Sequence, residues 1–248
     1  MDAELFLLEV ERILQEQVKN SFPTDWDEDF ITMNTLREIR KKLNIVKIKG
    51  FKRGMKIEWT CFKLGRPPEK KFGDVALLMN ISYQDGDKIE GVAFLEAKKR
   101  TIGKIKFEAM KTAQLKRICR NAPSSMTLLF DYEDVTQFAN TEAFSERWSW
   151  LVLKPCTCSV VVPINTILSV GKKDTTLYKF SLPFSYQLFF RYFQGFDLEF
   201  RESSIKIAKG YAIKKGVPKY LMVISVAFGT AEPFRDIDFN RNLFSEME

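Results

Sequence analysis

A chain of 248 residues, 45% hydrophobic and 29% charged, is long enough to bury a core and too apolar for wholesale disorder; its composition also excludes collagen-like and coiled-coil architectures. Lys and Arg number 39 against 32 Asp and Glu, a net +7 with a pI near 9.1, so a polyanion is the first partner to consider. Histidine is absent, which removes Ser-His-Asp and Cys-His hydrolases, His-ligated zinc sites and HNH nucleases; catalysis must use carboxylates, Lys, Tyr, Cys or a bound metal ion.

Residues 3 to 19 place Phe6, Val10, Ile13, Leu14 and Gln17 at helical spacing, an amphipathic opening helix assigned to a segment 1–24. A second helix is predicted over roughly 25 to 43, acidic at its start (Asp25, Asp27, Glu28, Asp29) and basic at its end (Arg37, Arg40, Lys41, Lys42), the order that complements the helix dipole. From Asn44 the period changes to two: Ile45 to Phe51 and Met55 to Leu64 flank Lys52-Arg53-Gly54 and read as a hairpin. Strands are then expected at Asp74 to Tyr83 and, after Asp85-Gly86-Asp87, at Ile89 to about Lys98; the second is apolar on both faces and so central. Helical spacing returns over 104 to 121, with Phe107, Met110, Gln114 and Ile118 on one face, and Met126 to Tyr132 reads as a strand. Helix, strands, helix, strand is an α/β order. Beyond Asp134 the expectations are a polar helix or turn from Asn140 to Trp150, strands at Ser159 to Val170 and Leu177 to Phe180, an aromatic helix at Phe184 to Gln194 and a last strand over Tyr220 to Phe228. No flexible linker separates the halves, so residues 136–248 are expected as a mixed α+β extension packed on the first half.

The chain starts Met1-Asp2-Ala3-Glu4 with no basic stretch before an apolar run, and no apolar run reaches bilayer length. These features predict a cytoplasmic protein without a membrane partner. Cys61, Cys119, Cys156 and Cys158 are too few and too irregular for a disulfide scaffold and read as reduced thiols. Cys156-Thr157-Cys158 lacks the second close pair of a zinc site.

The chemistry-bearing pieces are Asp74 at a strand start, Glu96-Ala97-Lys98 at a strand end and Gln114 on the following helix. Residues two apart on a strand share a face, so the Glu96 carboxylate and Lys98 ammonium point the same way. An antiparallel partner strand that brings Asp74 alongside completes a site for a hard divalent cation. Phosphodiester hydrolysis needs an activated water and neutralisation of charge on the phosphate. Mg²⁺, which keeps several waters, is served by two carboxylates and a main-chain carbonyl, and Mn²⁺ is expected to substitute. Glu69-Lys70-Lys71 has the same acid-to-lysine spacing but follows Pro67-Pro68 in a loop, where no buried strand aims it.

Asp74 followed by Glu96-Ala97-Lys98 after a hairpin resembles the PD-(D/E)XK, or restriction-endonuclease-like, nuclease superfamily over roughly residues 25 to 132. The resemblance implies a nuclease core over 25–135 of helix, three antiparallel strands, helix and strand, with Asp74 and Glu96 as metal ligands and Lys98 as the catalytic lysine. It also implies 5′-phosphate products and favours DNA over RNA. The proline usually written before the aspartate is Gly73 here. Some members carry an acid in the first core helix and a glutamine in the helix after the lysine. At about 100° per residue, Glu28 falls on the side of Ile31, Leu36, Ile39 and Leu43, and Glu28-Asp29-Phe30-Ile31-Thr32 resembles the Glu-x-x-Ile-Thr start of that helix. Glu28 is therefore the candidate third metal-binding acid, with Glu9 and Glu11 as rivals, and Gln114 is the candidate glutamine that orients Lys98 or contacts a phosphate.

Residues 98 to 120 hold nine basic side chains against Glu108 alone, an excess larger than the net charge of the whole chain. Lys99, Arg100, Lys104, Lys106, Lys111, Lys116 and Arg117 are accordingly the expected nucleic-acid contacts. Lys206, Lys209, Lys214, Lys215 and Lys219 form a second basic stretch. The aromatic density from Phe180 to Phe200 is expected mainly in the core, with base stacking or a dimer interface as its other uses. The expected function is Mg²⁺-dependent cleavage of nucleic acid. The alternatives are a non-catalytic nucleic-acid-binding module, a scaffold subunit of a defence or mobile-element complex, and a hydrolase of smaller phosphoesters; homo-oligomers and larger complexes stay open.

Overall fold

A computed structural model describes residues 1–49, 54–65, 71–137, 156–212, 216–234 and 237–247. An aspartate sets each of its first two helices. Asp2 precedes α1 (Ala3–Ser21) and accepts the Leu5 N–H at 2.8 Å; Asp27 precedes α2 (Glu28–Leu43) and accepts from Asp29 and Phe30 at 3.0 and 3.1 Å. Such caps satisfy N–H groups that a helix start leaves without partners, each worth about 1 kcal/mol. Phe6, Val10, Ile13 and Leu14 on α1, and Ile31, Leu36, Ile39 and Leu43 on α2, are buried as their spacing predicts. The two stripes meet each other, α1 reaching a strand near the far edge of the sheet and α2 its middle.

The strands are β1 (Ile45–Ile48), β2 (Met55–Leu64), β3 (Val75–Ser82), β4 (Lys88–Lys99), β5 (Met126–Val135), β6 (Thr157–Pro163), β7 (Leu182–Pro183), β8 (Tyr220–Phe228) and β9 (Phe244–Glu246). They form one open mixed sheet in the order β1-β2-β8-β3-β4-β5-β6-β7, with β9 paired to the end of β2 that β1 does not reach. β3 and β4 are an antiparallel hairpin from Ser82↔Lys88 to Val75↔Leu95; β5 lies parallel to β4, reached through α3 (Thr112–Asn121). One face packs against α1, α2 and the aromatic segment of α5 (Phe184–Tyr186), a π turn (Gln187–Arg191) and a 3₁₀ turn (Tyr192–Gln194). The other carries α3, α4 (Ile164–Val170) and α6 (Glu202–Ala208). The fold is therefore mixed α/β, as the order of elements predicts. No helix among the described residues is long and apolar enough to cross a membrane.

Several expectations give way. Three successive antiparallel strands are not adjacent, because β8, from the segment expected as an extension, enters between β2 and β3. It pairs antiparallel with β2 from Met55↔Phe228 to Lys63↔Tyr220 and parallel with β3 from Val75↔Tyr220 to Ser82↔Ala227. A strand buried along Tyr220 to Ala227 needs neighbours on both edges and cover on both faces, and the sheet interior supplies them. The helix expected from residue 104 begins only at Thr112. Thr101 donates to Lys106 O at 2.9 Å and Ala109 takes φ +50°, so residues 101–111 form a loop that buries Phe107 and Met110 without helical turns.

The strand expected over Ser159 to Val170 stops at Pro163, which has no N–H for a ladder; Ile164–Val170 is helical and closes on Gly171 at φ +69°. Leu177 to Phe180 lies in a 3₁₀ turn over Thr175–Phe180, opened by Asp174 accepting from Thr176 N at 3.0 Å. Among the aromatics, Phe184, Tyr186, Phe189, Tyr192 and Phe193 are core, whereas Phe180, Phe196 and Phe200 are exposed. Lys52-Arg53, Glu69-Lys70 and Asn140 to Trp150 lie outside the described residues.

Candidate active site at the end of strand β4

β3 begins at Val75, opposite Leu95, while β4 continues to Lys99. Glu96 to Lys99 therefore has β5 on one edge and a notch on the other. Gly73 leads the chain into this notch at φ +91°, so close to β4 that a Cβ there would lie 2.5 Å from Leu95 O. Only glycine fits here, because a side chain would meet the β4 backbone and the φ is left-handed. Asp74 follows: its N–H donates to Leu95 O at 2.8 Å, and its Oδ2 accepts the Ala97 N–H at 3.0 Å. The acid thereby takes a strand N–H that β3 begins too late to meet.

The Ala97 carbonyl opens into the same notch, since the N–H and C=O of one strand residue share an edge. Lys98 Nζ donates to Ala97 O at 2.6 Å, pairs with Glu96 Oε1 at 2.7 Å, and lies 3.3 and 3.4 Å from the two oxygens of Glu28. Gln114, from the first turn of α3, donates to the same Glu96 Oε1 at 2.6 Å. Glu96 is 1% exposed and Lys98 3%, and Glu96 Oε2 is buried with no hydrogen-bond partner. Burial, reinforced by the Asp74 charge, pushes the Glu28 and Glu96 carboxyls above the usual range. For Lys98 burial acts downward, but Glu96, Glu28 and Asp74 together hold it above its ordinary value.

All five expected residues, Asp74, Glu96, Lys98, Gln114 and Glu28, thus come together at one strand end. The three acids do not form a three-carboxylate cage: among the described residues no group of three or more His, Cys, Asp or Glu could hold a metal ion. Lys98 stands between Glu28 and Glu96 and separates them. The rivals to Glu28 are occupied elsewhere, Glu9 with Arg12 and Glu11 with Ser185.

Two residues that sequence reasoning missed complete the construction. Tyr220, at the start of β8, donates its N–H to Asp74 O at 2.9 Å and its hydroxyl to Asp29 Oδ1 at 2.9 Å, joining Asp74 to the start of α2; Lys219 also pairs with Asp29. Trp26 Nε1 donates to Arg100 O at 2.7 Å, fixing the approach of α2 to the end of β4. Neither link has a local signature, because each joins segments far apart in the chain.

The basic residues divide. Lys99 and Arg100, expected to face nucleic acid, turn inward: Lys99 bonds Trp26 O and pairs with Glu108 at 2.8 Å, and Arg100 pairs with Asp131 at 3.1 Å and Glu133 at 2.6 Å. Lys104, Lys106, Lys111, Lys116 and Arg117 are exposed. In the second basic stretch, Lys206 and Lys209 pair with Glu202 and Glu90, and Lys214 and Lys215 lie outside the described residues. The four cysteines are free. In comparisons with known proteins, the chain matches no family model, no curated protein and no solved structure.

Proposed function

We propose that this chain is a Mg²⁺-dependent nuclease with a restriction-endonuclease-like core, cutting phosphodiester bonds of nucleic acid, DNA in the first instance, at Asp74, Glu96 and Lys98. The observation that carries the reading is the notch, where one ammonium is ringed by Glu96 Oε1, Ala97 O and the Glu28 carboxylate while Asp74 closes the adjoining edge. α2, β2, β3, β4, α3 and β5 follow the order of such a core, with β8 added between β2 and β3.

The donors fit a hard divalent ion. Asp74, Glu96 and the Ala97 carbonyl supply oxygen only, and the bondless Glu96 Oε2 is an acceptor whose isolation costs about 1–3 kcal/mol until something positive meets it. Bound there, Mg²⁺ supplies charge neutralisation and lowers the pKa of an attacking water. Lys98, whose Nζ lies against Glu96 Oε1 and Ala97 O, would hold an attacking water or a phosphate oxygen beside them. Gln114 orients Glu96 Oε1, and the Glu28 carboxylate lies on the other side of the ammonium. Asp74 is held at the edge of the notch by the Ala97 N–H, which fixes where its carboxylate could serve as a ligand.

The test is plasmid and single-stranded oligonucleotide cleavage with Mg²⁺, Mn²⁺ or EDTA. Wild type should cut with either metal and not with EDTA, and Asp74→Ala or Lys98→Ala should abolish cutting while keeping most nucleic-acid affinity. Salt-dependent binding without cleavage would identify a binding module instead, and full activity in either variant overturns the assignment.

A further inference from the structure

We propose that the turn Thr101–Phe107 is a wedge that enters the minor groove of a duplex beside the cut site, Ile102 and Ile105 meeting base edges while Lys104 and Lys106 hold the flanking phosphates. This rests on the nuclease reading above. Ile102 is 50% and Ile105 58% exposed, in a turn that leaves β4 just beyond Lys98. The exposure is built in, because the backbone cannot fold the two side chains away. Thr101 N bonds Lys106 O at 2.9 Å, Gly103 N bonds the Tyr132 hydroxyl at 3.0 Å and Arg100 Nε bonds Lys104 O at 2.7 Å. On the other side Phe107 N bonds Lys173 O and Thr175 N bonds Ile105 O, each at 3.0 Å, and the Phe107 ring is buried beneath.

Charge selects the partner. Thr101–Phe107 contains no acid, Lys104, Lys106 and the neighbouring Lys172 are exposed, and the nearest acids are engaged: Glu108 with Lys99 and Asp174 with the Thr176 N–H. Apolar side chains held out beside exposed cations suit a groove, where Ile commonly acts as a wedge that unstacks a base step. An anionic membrane surface would attract the same side chains, but the turn shares its end of β4 with a site whose chemistry needs a phosphodiester.

The test measures binding in EDTA to a short duplex carrying 2-aminopurine, which brightens when unstacked, together with binding to phosphatidylserine vesicles. Wild type should brighten the probe. I102S/I105S should lose the signal and about tenfold in affinity with an unchanged salt slope and unchanged thermal unfolding. K104Q/K106Q should keep the signal but lower the slope of log K against log salt by about 1.8. If wild type binds and cuts duplex but I102S/I105S matches it in affinity and brightening, the wedge alone is overturned. If wild type neither binds duplex nor cuts with Mg²⁺, the nuclease reading falls and the wedge with it; preference for vesicles over duplex also overturns the wedge.

Discussion

Replacing Gly73 with alanine places a methyl group 2.5 Å from Leu95 O, 2.9 Å from the Leu95 carbonyl carbon and 3.2 Å from Glu96 N, at a residue whose φ is +91°. Two costs add. Left-handed backbone disfavours a Cβ by about 1–2 kcal/mol, and forcing an atom against packed structure costs about 1–3 kcal/mol more. Gly86 separates them, since its φ is +96° and a Cβ there meets nothing within 4 Å. Gly86→Ala should therefore lower stability by roughly 1–2 kcal/mol and Gly73→Ala by roughly 2–5 kcal/mol, read from urea unfolding at one pH with an unchanged m-value. The contact lies on the peptide that leads into Glu96 and on the residue before Asp74. Gly73→Ala should therefore also lose metal-dependent cleavage, whereas Gly86→Ala, in the distant β3–β4 turn, should retain it. Equal stability losses in the two variants would refute the close approach of this segment to β4, and with it the placement of Asp74.

Gln114→Ala should lower the single-turnover cleavage rate by about 10- to 100-fold, as loss of an orienting partner does, with duplex affinity unchanged; a wild-type rate would remove Gln114 from the site. Burial raises the Glu11 carboxyl to about 7; the folded state holds this proton more tightly than the unfolded one, so its contribution is full at acid pH and is lost as pH rises through 7. The loss amounts to roughly 3 kcal/mol, so Glu11→Gln should lose less stability than wild type between pH 5 and pH 8, and parallel urea curves would contradict the burial of Glu11. A chain ending at residue 215 lacks β8 and β9 and leaves the inner edges of β2 and β3 bare, so it should fail to unfold cooperatively by circular dichroism; a cooperative, cleaving fragment would show that β8 is dispensable.

What was legible in the sequence was what is local. The helical stripes of α1 and α2, the β3–β4 hairpin and the strand Tyr220–Phe228 each announce themselves by periodicity within one segment. The same holds for the site: Glu96 and Lys98 share a strand face, and Gln114 lies on the next helix. What was hidden depends on distant partners. β8 reads as a strand, but nothing in Tyr220 to Phe228 says that it enters between β2 and β3, nor that Tyr220 reaches Asp29 and Asp74. The misread helix at 104–111 has apolar spacing of helical period, yet the bonds that hold it as a turn run to Tyr132, Lys173 and Thr175. The Ile164–Val170 helix was obscured by β-branched residues whose strand preference packing overrode.

Two buried acids near the same strand end provide an internal comparison. Asp131, on β5, is 2% exposed and has both oxygens met: Arg100 Nη1 approaches each at 3.1 Å, the Glu133 N–H donates to Oδ1 at 2.9 Å and the Tyr178 hydroxyl donates to Oδ2. That is how an acid is built when it serves the fold, because an unmet buried oxygen costs more than its hydrogen bond returns. Glu96, equally buried, is left with Oε2 bare, although Gln114 and Lys98 crowd its other oxygen. The bare oxygen is what distinguishes Glu96 from Asp131, whose two oxygens are both met by the fold.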